Sequence, residues 1–120
     1  MSIQLHMEQM PDYLAARFSG SGVAEEVWRQ FELIAERCKR ANGDKLLIDI
    51  TGAEGTISVI EKYLAAEESR IFAQYGLKVV FIETPERLDP RRFFLVAARN
   101  RGVNVEAFTD FQSAEEWLLK

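Results

Sequence analysis

The sequence predicts a single α/β domain with a five-stranded, mostly parallel sheet whose first strand is antiparallel. Three observations support this fold class: the order of the elements, the length of the chain and the spacing of its apolar residues. Strand and helix patterns follow one another as β-β-α-β-α-β-α-β-α, an order that favours right-handed crossovers between parallel strands. A length of 120 residues is that of one ordinary domain, so we expect residues 1–120 to form one unit.

A β-hairpin is predicted at the start of the chain. Ile3, Leu5 and Met7 alternate with polar residues, which is typical of a strand with one buried face. Residues 10–12 contain the proline of a turn, and residues 13–18 alternate again. So short a connection makes this pair antiparallel, whereas each later connection is long enough for a helical crossover.

Three further strands are predicted at residues 45–50, 77–82 and 103–108. The most apolar of them, 77–82, is expected at the centre of the sheet. Amphipathic helices at about residues 23–41 and 57–74, helices one and two, separate these strands. One face of the predicted sheet is apolar throughout, and the other mixes charged and apolar residues. We therefore expect heavier helix cover on the first face, with the second face covered only in part.

Two more helices have recognisable start and stop signals. Helix three is expected to begin with Asp89 as its cap and Pro90 in its first position, and to end before Gly102. Residues 113–116 match a capping box, which predicts the start of a short helix four.

Helix three is apolar around its whole circumference between residues 93 and 98. Such a helix is buried on more than one side. Either helices two and four enclose it, or Phe94 and Leu95 contact a second copy of the chain or an apolar ligand. Arginines flank the apolar segment and are able to hold an anionic head group: Arg91, Arg92, Arg99 and Arg101.

Composition argues against several classes of protein. The net charge of −4 disfavours binding to nucleic acid, which needs a concentrated positive surface. Cys38 is the only cysteine, so an internal disulfide and a cysteine-rich metal site are both excluded. The sequence has no signal-peptide pattern and no run of about 18 apolar residues. We therefore expect a cytoplasmic protein that does not insert into membranes.

No catalytic or cofactor-binding arrangement is evident in the sequence. His6 is the only histidine and lies on an edge strand, so neither a Ser-His-Asp set nor a histidine-rich metal site can form. Asp49 and Glu54 could act as paired carboxylates, although an Asp at a strand end usually accepts hydrogen bonds from the backbone N–H groups of the loop. Gly52 and Gly55 lack the lysine of a phosphate-binding loop. We expect no cofactor and no metal.

Residues 46–52, 77–82 and 96–118 together resemble the STAS domain and the related SpoIIAA-like bacterial proteins. The resemblance extends over almost the whole chain. It implies a superhelix of strand–helix turns and a role in protein–protein recognition. Some members of the family are anti-sigma factor antagonists switched by phosphorylation, others are regulatory domains of anion transporters, and the wider fold includes lipid-carrying domains.

The resemblance also implies a switch where the third strand meets helix two. The phosphorylated antagonists have an Asp-Ser-Ser/Thr-Gly segment there, whereas residues 54–58 of this chain read EGTIS. Counting from Asp49, the acceptor position falls at or near Ser58, close to Thr56, but the Asp-Ser-Gly signature is missing. The alternative is that Thr56 or Ser58 only caps helix two, with Glu61 completing a capping box for Ser58.

From the sequence we expect a non-enzymatic regulatory module that binds a protein partner or a second copy of itself. The first alternative is a carrier of a small apolar or lipid-like ligand beside helix three. The second is an enzyme that uses the loop after Asp49.

Overall fold

The computed structural model describes residues 2–120, which form five strands and six helices. The strands are β1 (Gln4–Gln9), β2 (Leu14–Ser21), β3 (Lys45–Glu54), β4 (Lys78–Ile82) and β5 (Asn104–Phe108). The helices are α1 (Glu25–Trp28), α2 (Phe31–Arg40), α3 (Val59–Glu68), α4 (Arg70–Gln74), α5 (Phe93–Asn100) and α6 (Phe111–Leu118). Within the described residues, none of these helices has the length and apolar character needed to cross a bilayer.

The five strands form one sheet in the order β1-β2-β3-β4-β5. β1 is antiparallel to β2, and the other three pairings are parallel, which confirms the predicted hairpin and the mostly parallel sheet. The expectation that residues 77–82 lie at the centre was wrong, because β3 is the middle strand. β4 nevertheless has a strand on each side, and this interior position accounts for its apolar sequence.

The two faces of the sheet differ in their helix cover, as predicted. Helices α1 to α5 pack on one face and share a large core with it. Among the described helices, only α6 covers the other face, through Ala114 and Leu118, which contact a small cluster that includes Tyr13, Leu47 and Val80. The large core therefore lies entirely between the sheet and the first five helices.

Helices one and two are each divided in the structure. Helix one breaks between α1 and α2 at Arg29 and Gln30, where the Gln30 N–H donates to the Val27 carbonyl, only three residues back. Helix two breaks at the buried Ser69, whose hydroxyl donates to the Ala66 carbonyl at 2.6 Å. This local hydrogen bond competes with the regular helical pattern and separates α3 from α4.

Helix three, now α5, begins at Phe93, three residues after Pro90. Arg92 has a left-handed backbone with φ of 53°, which is incompatible with a helix running through it. Asp89 still organises this turn, because its carboxylate accepts hydrogen bonds from the N–H groups of Arg91 and Phe93. The predicted stop was correct: Gly102 follows the end of α5 with φ of +87°.

Helix four, now α6, begins earlier than predicted. Its cap is Asp110, whose carboxylate accepts a hydrogen bond of 2.7 Å from the Ser113 N–H. The predicted capping box at residues 113–116 lies inside the helix, so that expectation was wrong. The aspartate satisfies the free N–H groups of the first turn before the serine is reached.

β3 extends four residues further than the predicted strand 45–50. Beyond Asp49 its pairing with β2 shifts by one residue, as in a β-bulge. Asp49 stabilises the bulge by accepting from the Thr51 N–H at 2.9 Å and hydroxyl at 2.6 Å. Gly52 is required next, since a Cβ there would lie 2.7 Å from the Phe18 carbonyl oxygen. The first part of the segment expected to be a loop after Asp49 is therefore strand, and residues 55–58 form the loop before α3.

Candidate functional site: a pocket and an exposed face that share helix α3

An apolar pocket of about 140 Å³ lies where β3, β4 and β5 end, between α1, α3 and α5. Aromatic rings form its deep wall: Trp28, Phe31, Phe81 and Phe94. Three alanines on the strands and on α3 line part of the remaining wall, beside larger aliphatic side chains: Ala53, Ala65 and Ala107. The space exists because these three positions carry methyl groups where larger side chains would fill it.

The aromatic wall of the pocket is held by ring–ring contacts. Phe81 on β4 meets Phe94 on α5 edge to face, with ring centroids 5.2 Å apart. Phe31 on α2 contacts Phe81 at 6.1 Å and Phe72 at 5.0 Å. Such pairs favour one relative orientation, so the wall is a defined surface.

One side of the pocket rim is the ion pair between Lys62 on α3 and Asp89, whose atoms Nζ and Oδ2 are 3.0 Å apart. Both side chains are largely buried. Burial by itself raises the pKa of Asp89, but hydrogen bonds from the Arg91 N–H, Lys62 and the Phe93 N–H outweigh it and lower the pKa below its ordinary value. Asp89 is therefore a carboxylate that holds the lysine at the rim.

A second ion pair at the rim joins Arg87 and Glu83, with Nε and Oε1 2.9 Å apart. The guanidinium also donates to the backbone carbonyls of Ala53 and, at 2.7 Å, of Ile50. Arg87 thereby fastens the connection after β4 to the end of β3. Burial raises the pKa of Glu83 above its ordinary value, although hydrogen bonds from the Thr84 N–H and Arg87 act in the opposite direction.

Helix α3 begins at Ser58, which is an exposed N-cap. Its hydroxyl oxygen accepts from the Glu61 N–H at 3.1 Å, and the Glu61 carboxylate accepts from the Ser58 N–H at 2.9 Å. This reciprocal pair is the capping box that the sequence pattern indicated. Thr56 is exposed and lines the pocket, and Asp49 lies at the bulge of β3.

The outer side of α3 exposes four large apolar side chains. We call them the α3 face: Val59, Ile60, Tyr63 and Leu64. Ile60 is 73% exposed and Leu64 is 50% exposed. The face extends towards α5 through Tyr63, whose ring lies 6.2 Å from that of Phe93, and Val96 on α5 is also exposed.

Sequence comparison finds no match: no family model matches the chain, and no curated protein does. Solved structures do resemble it over nearly its whole length. An anti-sigma factor antagonist from Mycobacterium paratuberculosis has a TM-score of 0.64 at 12% identity, covering 99% of this chain and 96% of that one. RsbS from Moorella thermoacetica, with a serine-to-glutamate substitution, has a TM-score of 0.63 at 16% identity, covering 97% and 95%.

An uncharacterised protein from Shewanella loihica, described as having a SpoIIAA-like fold, has a TM-score of 0.56 at 22% identity, covering 97% of this chain and 93% of that one. The chain has a STAS/SpoIIAA-like fold. The resemblance read from the sequence is therefore confirmed at the level of the fold.

Within this SpoIIAA-like fold the two predicted contact residues of α5 line the pocket. Leu95 is only 2% exposed, and Phe94 is half-buried, with its ring on Phe81. Both side chains thus face the interior between α5 and the sheet. Val96, which is exposed, lies on the outward side of α5 instead.

Most of the arginines around α5 pair with carboxylates that do not line the pocket. Arg92 and Arg99 each form an ion pair of 2.9 Å with Glu106 on β5, and the Arg99 Nε also donates to the Val105 carbonyl. Arg92 borders the pocket, while Arg91 is exposed. Two arginines of the predicted cluster therefore pair with one glutamate, and a third, Arg101, pairs with Glu67 on α3.

Sequence reasoning missed the α3 face and both ion pairs of the rim. The face had a readable signal, since residues 59, 60, 63 and 64 are apolar and so are Ala65 and Ala66. A helix with apolar residues on two sides has more than one apolar partner. The partners of Lys62 and Arg87 had no comparable signal, because they come from the irregular segment between β4 and α5.

Proposed function

We propose that this chain is a non-enzymatic regulatory module that binds a protein partner through the α3 face. The observation that carries the proposal is the exposure of four large apolar side chains side by side on one helix. Single exposed apolar residues are ordinary, but a contiguous group of them marks an interaction surface. Protein interfaces are built around such apolar centres with a polar rim.

The surroundings of the α3 face fit this role. Glu61 and Lys62 lie between its members in the sequence, but both are engaged, in the capping box and in the pair with Asp89. Glu67, one turn further along, accepts from Arg101 and from Arg70, each at 2.8 Å. The apolar residues therefore stand beside polar groups that are already paired, which lowers the cost of removing water from them.

The structural relatives support a regulatory role, since one of them is an anti-sigma factor antagonist. The enzyme alternative has less support, because residues 51–54 belong to β3 and the loop after Asp49 is confined to residues 55–58. We also propose that the protein acts in the cytoplasm.

The test replaces exposed apolar residues by glutamate and measures partner capture. Ile60→Glu and Leu64→Glu change the α3 face, and Leu33→Glu is the matched control, because Leu33 is 49% exposed on α2. With tagged protein in extract of the host cell, the two α3 variants should lose partners that the native chain and the control retain. Equal retention by all three variants would contradict the proposal.

Self-association is separated from binding to another protein by light scattering on the purified chain. If the partner is a second copy of the chain, the native protein should be a dimer. Ile60→Glu should dissociate this dimer, and Leu33→Glu should not. If the native chain is a monomer, the partner is a different protein.

The second candidate function is the carriage of a small apolar ligand beside α5. The specific observation in its favour is the pocket, whose wall includes Phe94 and Leu95. Native mass spectrometry tests it, since a bound small molecule would co-purify with the chain. The two functions are compatible, because the pocket and the α3 face lie on opposite sides of the same helix.

A further inference from the structure

We propose that the pocket selects an uncharged apolar molecule about the size of one aromatic ring, and that its paired rim excludes carboxylates. This inference rests on the second candidate function. It defines the chemical class of ligand, which neither the fold nor the structural relatives specify.

The size of the pocket limits its occupant. Its volume of about 140 Å³ is close to that of an engineered apolar protein cavity of roughly 150 Å³, which stays dry and binds benzene. A long acyl chain would exceed this volume. One aromatic ring with a short substituent fills it.

The wall of the pocket favours an aromatic occupant. The rings of Phe31, Phe81 and Phe94 already contact one another at tilted and edge-to-face angles. A further ring placed against them extends the same arrangement, which stabilises aromatic pairs beyond the effect of the area that is buried. The side chains of the lining alanines provide no polar atom that a polar ligand could bind.

The cations at the rim are already paired. Three cations and three anions border the pocket: Lys62, Arg87, Arg92, Glu54, Glu83 and Asp89. Each of these cations already has a carboxylate partner, Asp89, Glu83 and Glu106 respectively. A carboxylate that entered would have to displace one of these partners while losing its own water, and both steps are costly.

The exposed side of the pocket adds a repulsive charge. Residues 54–56 line it and are exposed, so this segment borders the opening. Glu54 accepts from the Ser21 hydroxyl at 2.9 Å but has no cation among the ion pairs of the described residues. A negative ligand would meet this carboxylate first, whereas an uncharged one would not be repelled.

The experiment compares two probes of nearly the same shape, acetophenone and benzoate, by NMR titration of the purified native chain at neutral pH. We expect acetophenone to shift the backbone amides around the pocket in a saturable way. Benzoate should bind at least about tenfold more weakly, the change that corresponds to 1.4 kcal/mol. Equal or tighter binding of benzoate would overturn the inference but leave ligand carriage standing.

Failure of both probes to bind would overturn ligand carriage and the inference together. The protein-binding proposal would be untouched, since its test uses the α3 face and another readout. In the supporting case, Ala107→Ile should abolish acetophenone binding by filling the pocket, while Leu33→Ala on the exposed side of α2 should not change it.

A second variant tests the rim directly. Asp89→Asn removes the partner of Lys62 and leaves an uncompensated cation at the pocket. Benzoate affinity should then rise by about tenfold, because a charge-assisted contact becomes available, while acetophenone affinity stays the same. An unchanged ratio of the two affinities in a folded Asp89→Asn protein would show that the ion pair does not set the selectivity.

Discussion

The two sides of α3 differ in a way that reverses ordinary packing. The inner side presents Ala65 and Ala66 to the core, whereas the outer side exposes the much larger Ile60 and Leu64. Apolar residues with the largest side chains are normally the ones that are buried. The same arrangement produces both candidate sites, because small residues inside leave a pocket and large residues outside leave an apolar surface.

Polar contacts hold α3 in this orientation. Rotation of the helix would bury Ile60 and Leu64, but it would also break the pair between Lys62 and Asp89 and the capping box at Ser58. A largely buried ion pair is costly to separate because its members would lose their partners in a poorly hydrated place. The inner and outer regions can therefore be tested separately by mutation.

The largest effect is expected when a charge is placed in the interior, and the same substitution on the exposed α3 face provides the comparison. Leu95→Glu puts an unpaired carboxylate at a position that is 2% exposed and should lower the free energy of unfolding by at least about 3 kcal/mol. Leu64→Glu on the α3 face should change it by less than about 0.5 kcal/mol. Urea unfolding measures both, and a stable Leu95→Glu protein would show that Leu95 is not part of the core.

The second comparison makes the same substitution inside and outside the pocket, on one face of one sheet. Ala16 and Ala107 are both buried, but only Ala107 lines the pocket. Ala16→Ile should cost about 1–3 kcal/mol through overpacking. Ala107→Ile should not lower the free energy of unfolding and should raise it by up to about 1 kcal/mol, because the larger side chain fills the pocket. Equal losses of stability in urea unfolding would mean that the pocket is not available to a side chain.

The sequence was sufficient to predict the sheet and its two faces. Alternation and apolar runs report which side of a strand is buried, and the long connections require crossovers, so strand directions follow. Residues 77–82 were misplaced at the centre because apolar character shows that a strand is interior, not which interior strand it is.

The helix boundaries were less predictable, because several side chains competed to cap the same turns. Asp110 starts α6 ahead of the box at Ser113, and the backbone of Arg92 delays α5 although Asp89 and Pro90 suggested a start. The α3 face depends on how the helix is rotated about its axis. That rotation is fixed by the contact of Lys62 with Asp89, which is 27 residues away.

A smaller effect concerns Ser58, where the α3 face begins. Ser58→Ala removes the cap and should cost about 1 kcal/mol, whereas Ser58→Asp keeps an acceptor there and should be nearly neutral. A phosphate on Ser58 would be favoured by the helix dipole but would lie against the Glu61 carboxylate of the capping box. We predict that Ser58→Asp changes partner capture more than it changes the melting temperature.

The Ser58 hypothesis is contradicted by one combined result. Both variants would have to retain the partners of the native chain, and mass spectrometry would have to find no phosphate on Thr56 or Ser58 in protein from its own host. Ser58 would then be a helix cap only, and regulation of the α3 face would need another origin.

The smallest expected effect distinguishes the two carboxylates of the pocket rim by their response to pH. The pKa of Glu83 is raised by burial above the ordinary 4.5, so just above that value the folded chain keeps a proton that the unfolded chain releases. The free energy of unfolding should therefore fall as pH rises through this window. The lowered pKa of Asp89 acts with the opposite sign, below the ordinary 3.8.

The measurement is urea unfolding from mildly acidic to neutral pH. Glu83→Gln should remove the fall in the free energy of unfolding, and Asp89→Asn should leave that fall in place. If the slope were unchanged in Glu83→Gln, the carboxyl would be hydrated and the rim beside Arg87 would be open to water.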